Sequence, residues 1–317
     1  MMITRTLLWT LLLLCSLTAC RKGEEHAAGT GRLQVAVTLF PLYDFAREVG
    51  GDRVEVRMLI PPGVEPHNFE PRPEDLLRLA KADIFIFSNR FMEPWAAGIL
   101  KGVDNRGLMV VDAGAGITLN PVADTDGHEE HGDESGHHHE GGMDPHIWMS
   151  IPNAERMVEN VRDGLIRKDP AGADAYRKNA AAYLARLKEL DLRFRKGLSD
   201  CRTRTFLHGG HYAFGYLTKE YGLSYLAAYA VTADSEPTPK KMMALVDLMK
   251  KNSLHTIFYE ELLSPRVAET IARETGASLL KLHGIHNVTR DDLAAGATYI
   301  SLMEANLGNL RTGLSCR

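Results

Sequence analysis

From 173 to 196 the chain carries neither glycine nor proline, and Gly172 and Gly197 bound the run. Inside it Tyr176, Tyr183, Leu184, Leu187, Leu190 and Phe194 recur at helical spacing, so 171–198 reads as one unbroken helix. About 25 residues at ~1.5 Å rise each reach roughly 37 Å, which is long for a globular helix. Such a rod is either packed inside one domain or braced between two. The flanking sequence repeats one pattern on both sides. Upstream, strands are expected at 33–39 (LQVAVTL), 54–60 (VEVRMLI), 84–88 (IFIFS) and 108–111, with helices at 42–49, 73–80 and 153–166. Pro41, Gly50-Gly51 and Pro61-Pro62-Gly63 punctuate them. Downstream, strands at 203–207, 223–228, 256–259 and 278–282 alternate with helices at 214–221, 237–251 and 265–275, and a helix at 298–310 closes the chain. Strand–helix alternation is the signature of a parallel α/β sheet. Two such lobes place their strand-end loops around a cleft, where open α/β sheets bind ligands.

The N-terminus, MMITRTLLWTLLLLCSLTAC, has a charged start, an apolar run from Leu7 to Leu14 and small residues before Cys20. That is the anatomy of a secretory signal peptide, and the run falls short of the roughly 20 apolar residues of a spanning helix. Leu17-Thr18-Ala19-Cys20 resembles the bacterial lipobox, in which the cysteine is lipidated and becomes the new N-terminus. The expected organisation is a signal peptide over 1–19 and a polar tether over 20–31. An N-terminal lobe over 32–170, the linking helix over 171–198 and a C-terminal lobe over 199–317 follow. The mature protein is then exported and held to the membrane by its lipid. Once Cys15 leaves with the signal and Cys20 carries lipid, Cys201 and Cys316 remain, a pair that an oxidising compartment allows to bridge. A net charge of −4 offers no basis for nucleic-acid binding.

Histidine is the residue type that stands out. His128, His131, His137, His138 and His139 crowd an acidic, glycine-rich stretch, 124–142, that has no apolar periodicity and so cannot bury a core. The other conspicuous histidines each follow a candidate strand or that stretch: His67 in PPGVEPHNFEP, His146 in MDPHIWMS, His208 and His211 in FLHGGHYAFGY, His283 and His286 in KLHGIHN. A single loop histidine is usually solvated or hydrogen-bonded. Four such groups in a matched two-lobe layout point instead to a metal site, because neutral imidazole offers a nitrogen lone pair near pH 7.

The order of IPPGVEPHNFEPRPEDLLRLAKADIFIFSN, DPHIWMS, DPAGADAYRKNAAAYLARLKELD, HYAFGYLTKEYGL, FYEELLSPRVAETIARETGA and TYISLMEANLGNL resembles the substrate-binding lipoproteins of bacterial zinc and manganese ABC transporters, the cluster A-I metal receptors. The resemblance spans 33–312. It implies two Rossmann-like α/β lobes joined by one rigid helix, with the metal in the interlobe cleft. It carries metal-ligand roles onto His67, His146 and His211. The fourth donor of the family is usually an aspartate after the last strand of the C-terminal lobe. Here the matching position is taken to be His283, with His286 as its competitor, while His208 is expected to line the strand end. Glu65 is expected either to support the donors with its carboxylate or to be a solvated loop residue. A four-histidine set without carboxylate favours zinc over manganese. The 124–142 stretch marks zinc-type members and is expected to act as a weak auxiliary trap beside the working site, or to be an insert without a role.

The resemblance further implies a monomer that docks on ABC permease membrane subunits. Three other readings remain: a manganese receptor of the same family, a zinc enzyme, and a surface adhesin with structural metal. No HExxH motif supports the enzyme, and four donors leave a tetrahedral ion no corner for substrate. Four ordinary histidines would lose affinity for the ion as pH drops through ~6.5.

Overall fold

The computed structural model describes residues 31–122, 142–231 and 237–317. The signal peptide, Cys20, the tether up to residue 30 and the five clustered histidines lie outside them. The described chain builds two four-stranded parallel sheets. In the first, β1 (Leu33–Val37), β2 (Val54–Met58), β3 (Ile84–Phe87) and β4 (Met109–Asp112) stand in the order β2-β1-β3-β4. In the second, β5 (Thr205–His208), β6 (Ser224–Ala227), β7 (Thr256–Tyr259) and β8 (Ser278–Lys281) repeat it as β6-β5-β7-β8. The helices of the first half are α1 (Phe40–Gly50), α2 (Pro73–Leu79), α3 (Ala96–Leu100) and α4 (Ile151–Lys168). Then come the long α5 (Ala173–Gly197), α6 (Gly215–Tyr221), α7 (Pro239–Lys251), α8 (Arg266–Thr275), α9 (Arg290–Ala294) and α10 (Tyr299–Gly313).

Alternating side chains divide each strand between two apolar layers. Val35 and Val37 of β1 and Ile84 and Ile86 of β3 enter the main core, while Ala36 and Phe85 face a smaller cluster with Leu79 and Ile99. In the second sheet Phe206 and Phe258 join the main core, while Leu207 and Ile257 face Met249 and Ile271. The main core is thus one continuous body that takes one face from each sheet. The separate clusters seal the outer faces under α2 and α3, and under α7 and α8.

The long helix lines this shared core. Tyr176, Ala180, Tyr183, Leu187, Leu190 and Phe194 are its buried residues, recurring in alternating steps of four and three, so they form one narrow stripe. Toward its start Tyr183 donates its hydroxyl to Asp44 of α1 (2.8 Å), and toward its end Phe194 stacks on Tyr221 of α6 at 5.0 Å between ring centres. One rod therefore grips helices of both halves. Asp44 also accepts the Tyr299 backbone N–H at the start of α10 (3.0 Å), and the Tyr299 hydroxyl bonds the Trp148 carbonyl. Cys201 and Cys316 form a disulfide that ties the chain just before β5 to the segment after α10.

Because all eight strands are parallel within their sheets, every loop after a strand leaves from the same edge of its sheet. His67, His211 and His286 lie on such loops.

Candidate metal centre

His67 sits in a 3-10 turn, Pro66–Asn68, capped by Glu65, whose Oε1 accepts the His67 backbone N–H at 3.3 Å. His146 begins the turn Ile147–Met149 and is fully buried. His211 follows β5 after Gly209-Gly210. A Cβ at Gly210 would lie 1.9 Å from a Glu260 carboxylate oxygen, so only glycine lets the loop pass this close.

These three rings converge. Nε2 of His146 lies 3.0 Å from Nε2 of His67 and 3.2 Å from Nε2 of His211. Among the described residues they are the one group of three whose donor atoms all fall within 4.8 Å. A tetrahedral zinc ion with bonds of about 2.0–2.1 Å separates its donors by about 3.3 Å, so the nitrogens are already near ligand spacing.

Each of the two buried rings is aimed by a carboxylate on its far side. Asp144 Oδ1 accepts the His146 backbone N–H at 3.0 Å and lies 2.8 Å from His146 Nδ1. Glu260 Oε1 accepts the His211 backbone N–H at 2.7 Å, and its Oε2 lies 2.5 Å from His211 Nδ1. With Nδ1 of His146 bonded to Asp144 and Nδ1 of His211 turned toward Glu260, each Nε2 is left to point at the centre. Burial, together with the charges of His211 and His286, pushes the His67 pKa down to about 3, and burial with its neighbours holds His146 well below the ordinary imidazole range. Both rings are neutral at pH 7, the form that ligates metal. Burial lifts Asp144 to about 7. Burial would also lift Glu260, but the neighbouring His211 and His208 hold it below its ordinary value.

His283, the expected fourth donor, is not among the converging rings. Its backbone is tied twice to Asn306 of α10, by N–H to Oδ1 (2.7 Å) and by its carbonyl to Nδ2 (2.8 Å). Its Nδ1 faces Glu261 Oε1 at 3.0 Å and the Ile285 N–H at 2.9 Å. His286 turns toward the centre instead, its ring centre 5.2 Å from that of His211, 6.2 Å from His67 and 6.5 Å from His146. Its Nε2 lies 3.2 Å from Glu65 Oε2. Burial alone would lower the His286 pKa, but Glu65 outweighs it and raises the group to about 9. Burial would raise Glu65, but His286 outweighs that and holds the carboxylate far below its ordinary value. The two form a charged pair beside the centre. His208 is buried against the Phe214 ring, 4.8 Å between centres, beside the strand end.

Asp144, Glu261 and Asn306 carry weight that sequence reasoning missed. The one available signal was the two-residue step from Asp144 to His146.

A family model described as "Zinc-uptake complex component A periplasmic", ZnuA, matches residues 35–313. The chain is 35% identical over 301 residues to the zinc-binding lipoprotein AdcA of Streptococcus pneumoniae, covering 94% of this chain but 59% of that protein. It is 33% identical over 293 residues to the high-affinity zinc uptake system protein ZnuA of Bacillus subtilis, covering 92% of this chain and 91% of that one. The crystal structure of the Zn(II)-bound ZnuA-like domain of S. pneumoniae AdcA superposes with a TM-score of 0.76 at 33% identity, covering 90% of this chain and 99% of that one.

Proposed function

Because the chain belongs to the ZnuA family of zinc-uptake components, we propose that it is the extracytoplasmic receptor that binds Zn2+ and hands it to a membrane ABC permease. The observation that carries this reading is the convergence of three Nε2 atoms from loops of both halves, two of them backed by buried carboxylates. His286 is the fourth donor in this reading, in place of His283, because its ring already faces the other three. Four imidazoles suit zinc better than manganese, which prefers carboxylate oxygen. They also complete a tetrahedron, which suits a carrier rather than a catalyst. Glu65 lies beside the donor set and offsets part of the ion's charge. The lipid on Cys20 would anchor the chain outside the cell membrane, as a monomer facing its permease. The histidines at 128, 131, 137, 138 and 139 would hold zinc weakly, since a stretch whose sequence lacks apolar periodicity would lose conformational entropy on binding that a preformed centre does not.

Competitive zinc titration of residues 21–317 tests this, with the intact chain, a 124–142 deletion and His67→Ala compared. The deletion should keep one tight site and lose only weaker zinc. His67→Ala should lose the tight site. Tight binding that vanishes with the deletion would move the working site to the clustered histidines and sink the proposal.

A further inference from the structure

The two donor loops are sewn to each other. The Asn287 amide, 1% exposed, donates both of its Nδ2 hydrogens across the cleft, to the carbonyls of Pro61 and Val64, each at 2.8 Å. Its Oδ1 accepts the N–H of Val288 at 2.9 Å, so the amide's hydrogen-bonding groups are engaged on both sides. Beside it the Gly63 N–H donates to the Val288 carbonyl at 2.8 Å, and the Phe40 N–H donates to the His286 carbonyl at 3.2 Å. Gly63 has φ +85°, a conformation that glycine adopts freely. The loop that carries Asn287 is held under strain: Ile285, buried and β-branched, has φ +61°. Asn287 directly follows His286, and the carbonyls it holds lie three and six residues before His67. One side chain thus fixes a donor loop from each half of the molecule.

We infer that Asn287 is a positioning residue, clasping the His67 loop to the His286 loop and setting how long the bound cation stays in the centre. This rests on the zinc-receptor reading above. The clasp does not touch the ion. It holds two donors from opposite sheets in register, so breaking it separates them while leaving His146 and His211 aimed by their own carboxylates. The first encounter with the ion needs only a few donors, whereas retention needs all of them together. Loosening the clasp should therefore act on departure far more than on arrival.

The test is stopped-flow zinc release into excess chelator, with association measured separately, on the full mature chain. Asn287→Leu keeps volume and removes the donors; Asn287→Ala removes both. Each should speed release by about tenfold or more with association changed by no more than about twofold, since affinity differences between related complexes lie mostly in dissociation. Unchanged release in both variants overturns the inference. Faster release in Ala alone also overturns it, because packing would then be the cause. Should neither variant fold, hydrogen exchange of the Gly63 amide in the wild-type protein decides. Binding and clasping are reciprocal if coupled, so zinc loading should slow that exchange. Equal exchange with and without zinc overturns the inference. A wild-type protein without a tight zinc site would sink the receptor reading instead, a result separable from tight zinc with release indifferent to the clasp.

Discussion

His146 has no exposed surface and makes its closest polar contact with Asp144, through Nδ1. Asp144→Asn keeps the shape but replaces an oxygen acceptor pair with an amide of lower basicity. Loss of such a partner typically weakens metal binding by 10–100-fold, so a fall of about that size in zinc affinity is expected on competitive titration, with the fold intact. Protons behave differently from ring to ring. At pH 7 His67, at about 3, and His146, well below 6.5, have none to displace. His286, raised to about 9 by Glu65, carries one. An ion that recruits His286 must expel it. Zinc binding between pH 7 and 8 should therefore release about one proton, and affinity should climb with pH until about 9 and then level. Four ordinary histidines would instead level above ~6.5. Calorimetry in two buffers of different ionisation enthalpy measures the release, and none at pH 7.5 would exclude His286 as a donor. Such splitting cannot be read from a sequence, because it depends on which carboxylate each ring meets. The positions of His67, His146 and His211 after strands or turns were legible; the orientation of His283 and His286, three residues apart in one loop, was not. Asn306, far along the chain, holds the first of them by its backbone.

The long helix was the plainest element in the sequence, and the structure gives it one buried stripe against solvent elsewhere. Leu187 is fully buried on that stripe, whereas Leu192 is 66% exposed. Leu187→Ala should cost about 2–5 kcal/mol of stability, as truncation of a packed leucine does, and Leu192→Ala under about 0.5 kcal/mol. Urea titration of the two variants measures both, and equal midpoints would mean that the stripe does not brace the fold. The strands and longer helices were legible because apolar periodicity and Pro or Gly stops agree over many residues. Ala96–Leu100 and Arg290–Ala294 were not, since five residues are too few to display a helical period. The clasp was invisible for a different reason: its bonds join backbone carbonyls to one amide more than 220 positions away.

At the scale of the molecule, the apolar body that takes one face from each sheet limits what motion is possible. Swinging the halves apart would bring Phe206, Phe258, Ile84 and Ile86 toward water, residues now at most 2% exposed. Exposing apolar surface raises heat capacity, and burying it lowers heat capacity. A receptor that closed like a book on its cargo would show a large negative heat-capacity change on loading. If this shared core stays closed, the enthalpy of loading should hardly change with temperature: calorimetric enthalpies of zinc binding, corrected for buffer, should plot as a nearly flat line from about 10 to 35 °C. A steep slope would mean that the halves do part. With heat capacity unchanged on loading, the binding enthalpy is one constant, so the logarithm of affinity should follow a straight line against reciprocal temperature, where a closing cleft would bend it.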